Sequence, residues 1–191
     1  MNTRDRILNE AESLFRAGGH AGLSLRKIAA AAGIRAPSVY VHFASKEAIV
    51  AALRQRAMAG LMARFEAVEK REVDALAQLV AAGLAYVRFS TEERETFTLF
   101  FSSFISERKN LEQAEVAASP YTFLRKRVVD LAAPVWGQDS PHRFDEITYG
   151  YWALIHGAAL LQATFLEGFT ADFEAADRAN FKRFLRGCLQ R

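Results

Sequence analysis

The sequence predicts an all-α protein of about nine helices, with a three-helix head over residues 1–46 and a larger helical body over 47–191. Three observations predict it. Apolar residues recur at the helical spacing along nearly the whole chain, and no segment alternates with period two for long. Serine, aspartate, proline and glycine fall where helices start and stop. The composition, 51% hydrophobic and 25% charged in 191 residues, is that of a globular chain able to bury about two-thirds of its unfolded surface.

The elements follow in order. Ile7, Leu8, Ala11, Leu14 and Phe15 form one face of a first helix, with Thr3 as its cap and Gly18-Gly19 as its end. Ser24 caps a second helix, Leu25 to Ala32, and Gly33 turns the chain at its C-terminus. Pro37 sits in the first turn of a third helix, where a missing N–H costs nothing. Ser45 caps a fourth, which passes Leu53, Leu61 and Phe65 towards residue 70. Val73, Leu76, Val80, Leu84 and Val87 make the apolar stripe of a fifth. Ser90 and Glu93 have capping-box spacing and predict a new helix through Phe97, Phe101 and Phe104. Ser119-Pro120 and Ser140-Pro141 each read as a cap followed by proline at the first helical position, with Pro134 and Gly137 as punctuation between the two helices. Thr170 or Asp172 starts the last helix, where Phe181, Phe184, Leu185, Cys188 and Leu189 recur at i, i+3, i+4, i+7 and i+8.

Charge is spread unevenly. Residues 1–64 hold ten Lys/Arg against four Asp/Glu, and the remainder fifteen against eighteen. A basic end on a mildly acidic body is the pattern of a nucleic-acid-binding head. One cysteine allows no intrachain disulfide and fits a reducing, cytoplasmic setting. The N-terminal stretch lacks an apolar signal region, and no apolar run reaches the ~20 residues that span a bilayer. Four histidines lack metal-ligand spacing, Cys188 falls on an apolar face, and no phosphate loop or nucleophile elbow appears. The reading is therefore of a non-enzymatic protein with no cofactor and no membrane partner.

The stretch GIRAPSVYVHFASK, residues 33–46, concentrates the chemistry. Two short helices joined by about four residues make a helix-turn-helix. Ala29 to Ala32 are small enough for the third helix to cross the second closely, and Ile28, Val39 and Phe43 fill the space beneath. Ala36, Pro37 and Ser38 then face outward, with Tyr40 and His42 towards the edges. In this motif the N-terminal residues of the recognition helix lie nearest the bases. Ser38 suits a base edge, and Ala36 or Pro37 a thymine methyl. Tyr40 and His42 reach phosphate oxygens, and Arg26, Lys27 and Arg35 add positive charge. Lys46 sits at the first turn of the fourth helix, where the macrodipole disfavours a cation. A phosphate arriving there would reverse that penalty.

GLSLRKIAAAAGIRAPSVYVHFASKEAIVAAL, residues 22–53, resembles the DNA-binding domain of the TetR family of bacterial transcriptional regulators. The resemblance lies in the R-x-I-A-x-x-A-G core from Arg26 to Gly33, then Tyr40, Phe43 and Lys46. It implies a homodimer on a palindromic double-stranded DNA operator. It also implies that Ser24, Tyr40, His42 and Lys46 meet phosphates while Arg26, Ala36, Pro37 and Ser38 face bases. Two positions depart from the family pattern. Arg35 stands where many members carry a capping serine or threonine, and Ala36 where a larger polar residue often reads a base.

In the body, YWALIHGAAL carries a W-x-x-x-H-G pattern at Trp152, His156 and Gly157, similar to one subclass of TetR-type C-terminal domains. Gly150, Leu154, Gly157 and Leu161 form a small-residue face. With Phe181, Phe184 and Leu185 of the last helix, it is the expected dimer surface, an intersubunit four-helix bundle. Phe100, Phe104, Tyr121, Leu124, Trp152 and His156 are the expected lining of a pocket for a small, mainly apolar or aromatic effector with one polar handle. The function expected is a ligand-responsive regulator, most simply a repressor released from its operator. The rival is an all-helical ligand-binding or adaptor protein that has lost DNA binding.

Overall fold

The computed structural model describes residues 1–98, 119–166 and 168–190. Among them are eight named helices and no strand: α1 (Thr3–Gly22), α2 (Leu25–Ala31), α3 (Ala36–Tyr40), α4 (Lys46–Arg71), α5 (Ala75–Glu92), α6 (Pro120–Trp136), α7 (Pro141–Ala163) and α8 (Phe173–Gly187). The chain divides into two compact units. The first, the head, holds Met1–Ala59 and a later stretch starting at Glu95; the second, the body, begins at Gly60. The residues of α4 are thus shared between them.

The head is built on α1. Asn2, rather than the expected Thr3, caps it: the Asn2 side-chain oxygen accepts the Asp5 N–H at 2.8 Å. Gly18 and Gly19 end the regular helix, as expected, with non-helical backbone at both, and a short second helical turn follows to Gly22. Ile7, Leu8, Ala11 and Phe15 of α1 join Ile28, Val39, Phe43, Ile49 and Leu53 in one buried cluster. Arg56 ties α4 back to α1, donating to Asn9 Oδ1 at 2.7 Å and Glu12 Oε2 at 3.1 Å.

The body is organised around α5. Leu79, Val80, Ala82, Gly83, Leu84, Tyr86, Val87, Phe89 and Ser90 are all buried, so this helix is apolar on more than one side and packs against α6, α7 and α8. That explains the failure of the capping-box expectation at Ser90. The serine lies inside α5, fully buried, with its hydroxyl 2.7 Å from the Val87 carbonyl and 3.1 Å from that of Ala159 on α7. A serine inside a helix satisfies itself on a carbonyl one turn back. Asp74 is the cap of α5, accepting the Ala77 N–H at 2.8 Å, and Val73 lies outside the helix, exposed.

Two further boundaries move. Pro134 does not separate α6 from α7. It lies in the last turn of α6, where it removes one hydrogen bond from a helix that stops at Gly137 (φ 83°). Ser140 precedes α7 without capping it and donates to the Trp136 carbonyl at 2.9 Å. Ser119 and Asp172 cap α6 and α8 as expected. Phe101 and Phe104 of the expected sixth helix lie outside the described residues.

Candidate nucleic-acid interface and body aromatic cluster

The turn between α2 and α3 is a complete helix stop. Ala32 is the C-cap of α2, Gly33 follows at φ 64°, its N–H bonds the Ala30 carbonyl at 3.1 Å, and the Ile34 N–H bonds that of Ala29 at 3.0 Å. This is a Schellman pair, and it needs a residue that tolerates positive φ. Ser24 caps the other end of α2, accepting the Lys27 N–H at 3.2 Å and keeping its own O–H as a donor. Arg35 makes no side-chain cap on α3, as its departure from the family pattern implies. The Ser38 N–H instead bonds the Arg35 carbonyl at 2.9 Å.

Val39 and Phe43 anchor the helix from below, at 0% and 4% exposure, each worth on the order of 2 kcal/mol of apolar burial. The Arg4 guanidinium lies 4.9 Å over the Phe43 ring. With these two side chains committed to the core, Arg35, Pro37, Tyr40 and His42 are exposed, and Ala36 and Ser38 are half-buried. Arg26 and Lys27 are exposed on α2. The structure adds Val41, 80% exposed between Tyr40 and His42. Its signal in the sequence was available: it falls outside the inward i, i+4 pair of Val39 and Phe43.

Lys46 needs a different account from the one the sequence suggests. Its ammonium group donates to the His20 carbonyl at 3.1 Å, in the short turn that follows the break at Gly18 and Gly19. The cation's position at the start of α4 is therefore compensated within the head, without any phosphate. Glu47 in the same turn is held below the usual carboxylate range, first by its own backbone N–H and then by the Ser45 hydroxyl. Its charge satisfies part of the helix-end potential that the sequence reading left for an anion.

In the body, the expected effector residues fall into two sets. Tyr121, Trp152 and His156 are half-buried and meet at one cluster, with Tyr121 edge-on to Trp152 at 6.4 Å and the Trp152 and His156 rings parallel at 6.1 Å. Leu124 is fully buried. Phe100 and Phe104 lie outside the described residues. The sequence reading missed Tyr86, the buried centre of the cluster: its ring lies 5.1 Å from Trp152 and its hydroxyl 2.9 Å from His156 Nδ1. Burial pushes the Tyr86 phenol up and the His156 imidazole down, so the pair is neutral. A tyrosine in the middle of an apolar stripe, opposite a histidine helix, was the only trace of it.

The expected dimer residues are also split. Phe181 and Leu185 are fully buried in the body's own core, and Phe181 meets Tyr151 edge-on at 5.7 Å. Both side chains are thus committed to packing within the chain. Gly150 makes its close approach within the chain, for a Cβ there would lie 2.8 Å from the Phe184 ring. Leu154, Gly157 and Phe184 are half-buried, while Leu161 is 48% exposed beside Leu160 at 49% and Tyr149 at 69%.

Among the described residues no group of three His, Cys, Asp or Glu is placed to hold a metal ion, and no helix is long and apolar enough to cross a membrane.

Fold and face together define an all-helical protein with a DNA-binding helix-turn-helix head. Residues 7–53 match the sequence profile of the bacterial regulatory proteins of the tetR family. Solved structures extend the likeness over the whole chain. A protein of unknown function from Rhodococcus sp. RHA1 is 28% identical at a TM-score of 0.84, covering 100% of this chain and 97% of that one. The TetR family transcriptional regulator PfmR from Thermus thermophilus is 24% identical at 0.65, covering 98% and 100%. A TetR-family transcriptional regulator from Bordetella parapertussis 12822 is 17% identical at 0.65, covering 99% and 95%. No curated protein matches the chain. The head thus carries the sequence pattern of the tetR-family regulatory proteins over residues 7–53, and the full length shares its fold with these solved structures.

Proposed function

We propose that the protein is a sequence-specific transcriptional repressor that binds a palindromic operator as a homodimer and is released by a small, mainly apolar or aromatic effector. The observation that carries the DNA half is the division of labour on α3 and the turn that follows it. Val39 and Phe43 hold the helix, which leaves Pro37, Ser38, Tyr40, Val41 and His42 for a groove. Ala36, Pro37 and Val41 offer methyl contacts, Ser38 a base-edge hydrogen bond, and Tyr40, His42, Ser24 and Lys46 phosphate contacts. Arg26 reaches for bases, and Lys27 and Arg35 supply the surrounding charge.

The effector half is supported by the neutral Tyr86–His156 pair beside half-buried Trp152 and Tyr121. Aromatic walls with one neutral hydrogen-bonding pair suit a flat apolar molecule with a single polar group. Release follows from differential affinity of that molecule for two states of the protein. The link is α4, whose residues are shared by the two units. The dimer surface is the exposed side of α7, with Leu154, Gly157, Leu160 and Leu161. It sets two heads to successive major grooves, ~34 Å apart.

The test is DNA binding by fluorescence anisotropy, using the DNA flanking the protein's own gene at several salt concentrations. Lys27→Ala weakens binding to all sequences alike and flattens the salt dependence, whereas Ser38→Ala changes which sequence is preferred. Equal, sequence-independent losses from both variants would contradict the assigned roles.

A further inference from the structure

We propose that the left-handed bend at Gly19 is the positioning device for the phosphate contact of Lys46, an inference that rests on the DNA-binding reading above. Gly19 has φ 56° and ψ −152°, a region open essentially to glycine. Immediately beyond it, the His20 carbonyl accepts the Lys46 ammonium at 3.1 Å, joining the end of α1 to the start of α4.

The turn that carries this carbonyl is fixed on both sides. The His20 ring packs edge-on against buried Phe15 at 5.4 Å. Two residues on, at the end of α1, Gly22 folds back so close to the part of the helix before the bend that a Cβ there would sit 2.8 Å from the Leu14 carbonyl oxygen. A lysine side chain is a long flexible stem that loses rotamer freedom when it grips a phosphate. Here that freedom is given up on folding. The ammonium has three donors, and the carbonyl takes one, leaving two for DNA. The His20 carbonyl dipole also offsets the unfavourable field at the first turn of α4. Gly19 thus acts through Lys46 without touching DNA itself.

No atom lies within 4 Å of a Cβ built at Gly19 or at Gly18, so alanine at either position tests backbone conformation and not steric room. The experiment measures operator affinity against salt for Gly19→Ala, Lys46→Ala, their double variant and Gly18→Ala, whose native φ is −152°. Lys46→Ala lowers the slope of log affinity against log salt by about 0.9 per head. Gly19→Ala moves the slope in the same direction and adds little in the Lys46→Ala background, while Gly18→Ala stays near the wild type. The carbonyl-carbon NMR resonance of His20, read without DNA, shifts in both Gly19→Ala and Lys46→Ala. Additive losses, or a Gly19→Ala loss with an unchanged slope, overturn the proposal. Should Gly19→Ala melt the head, Lys46→Met decides: it keeps the stem and drops the donor, so an unmoved His20 resonance overturns the brace and a shifted one supports it. A wild-type chain that ignored DNA would sink the DNA-binding reading and this role with it. Additive variants of a DNA-binding wild type sink this role alone.

Discussion

Gly83 in the middle of α5 is the most demanding packing position in the body. A Cβ there would lie 2.5 Å from the Tyr151 hydroxyl oxygen and 3.0 Å from the Phe181 ring. Neither neighbour can step aside freely. Tyr151 is fully buried and its hydroxyl donates to the Leu79 carbonyl at 2.7 Å, and Phe181 is fully buried too. Overpacking of this kind costs about 1–3 kcal/mol. Pulling the phenol from its carbonyl leaves a buried donor unpaired for another ~1–3 kcal/mol. The better helix propensity of alanine returns ~1 kcal/mol. Gly83→Ala therefore destabilises by about 1–5 kcal/mol, which for a chain of this length lowers Tm by roughly 2–20 °C. Thermal melting followed by far-UV circular dichroism reads it. Gly60→Ala is the control: it is exposed within α4, a Cβ there meets nothing within 4 Å, and Tm should rise slightly. Tyr151→Phe in the Gly83→Ala background removes the clashing oxygen, so the two losses are less than additive. A Gly83→Ala protein melting at or above the wild type refutes the packing argument.

Other perturbations have equally definite signs. His156 has its imidazole pKa lowered by burial, so the unfolded chain takes up a proton before the folded one does. Stability is full above the ordinary imidazole value of ~6.5 and is lost as pH falls through the lower folded value. His156→Gln flattens that part of the pH–stability curve, and an unchanged curve would exclude His156 as its cause. Asp177 has its carboxyl raised, first by burial, with Glu174 nearby adding to the shift and the Gln162 hydrogen bond at 2.7 Å opposing it. A raised folded pKa means the ionised form is penalised at neutral pH, so Asp177→Asn stabilises there and the gain fades in acid; urea midpoints at neutral and acidic pH measure it. Tyr86→Phe removes the hydroxyl 2.9 Å from His156 Nδ1. It lowers the temperature midpoint, which thermal melting followed by far-UV circular dichroism reads; an unchanged midpoint would exclude a stabilising role for this bond.

The helical architecture was legible because the apolar stripes and most caps agree with one another. Ser24, Ser45, Ser119 and Asp172 each accept a backbone N–H where the sequence places them. The failures have local physical causes. Ser90 has the spacing of a cap, yet tertiary burial of α5 carries the helix through it and turns its hydroxyl to a carbonyl on α7. Pro134 looks like a break, yet the helix forgoes one hydrogen bond there and runs on to Trp136, and it is Gly137 that stops it.

In the candidate site, α3 was readable because two inward residues four apart leave little choice for the rest. The His20 carbonyl was not, since a backbone oxygen has no residue type to betray it. The dimer face was less legible: a stripe of small and apolar residues does not say whether its partner is the next helix or another chain. Here Phe184 fills the space at Gly150.

Selection of binding sites from random duplex DNA tests the central claim most directly. The account predicts enrichment of an inverted repeat, with half-sites spaced for successive major grooves, and loss of that enrichment in Ser38→Ala. Recovery of no shared sequence at low salt, or of an unpaired half-site, would contradict it.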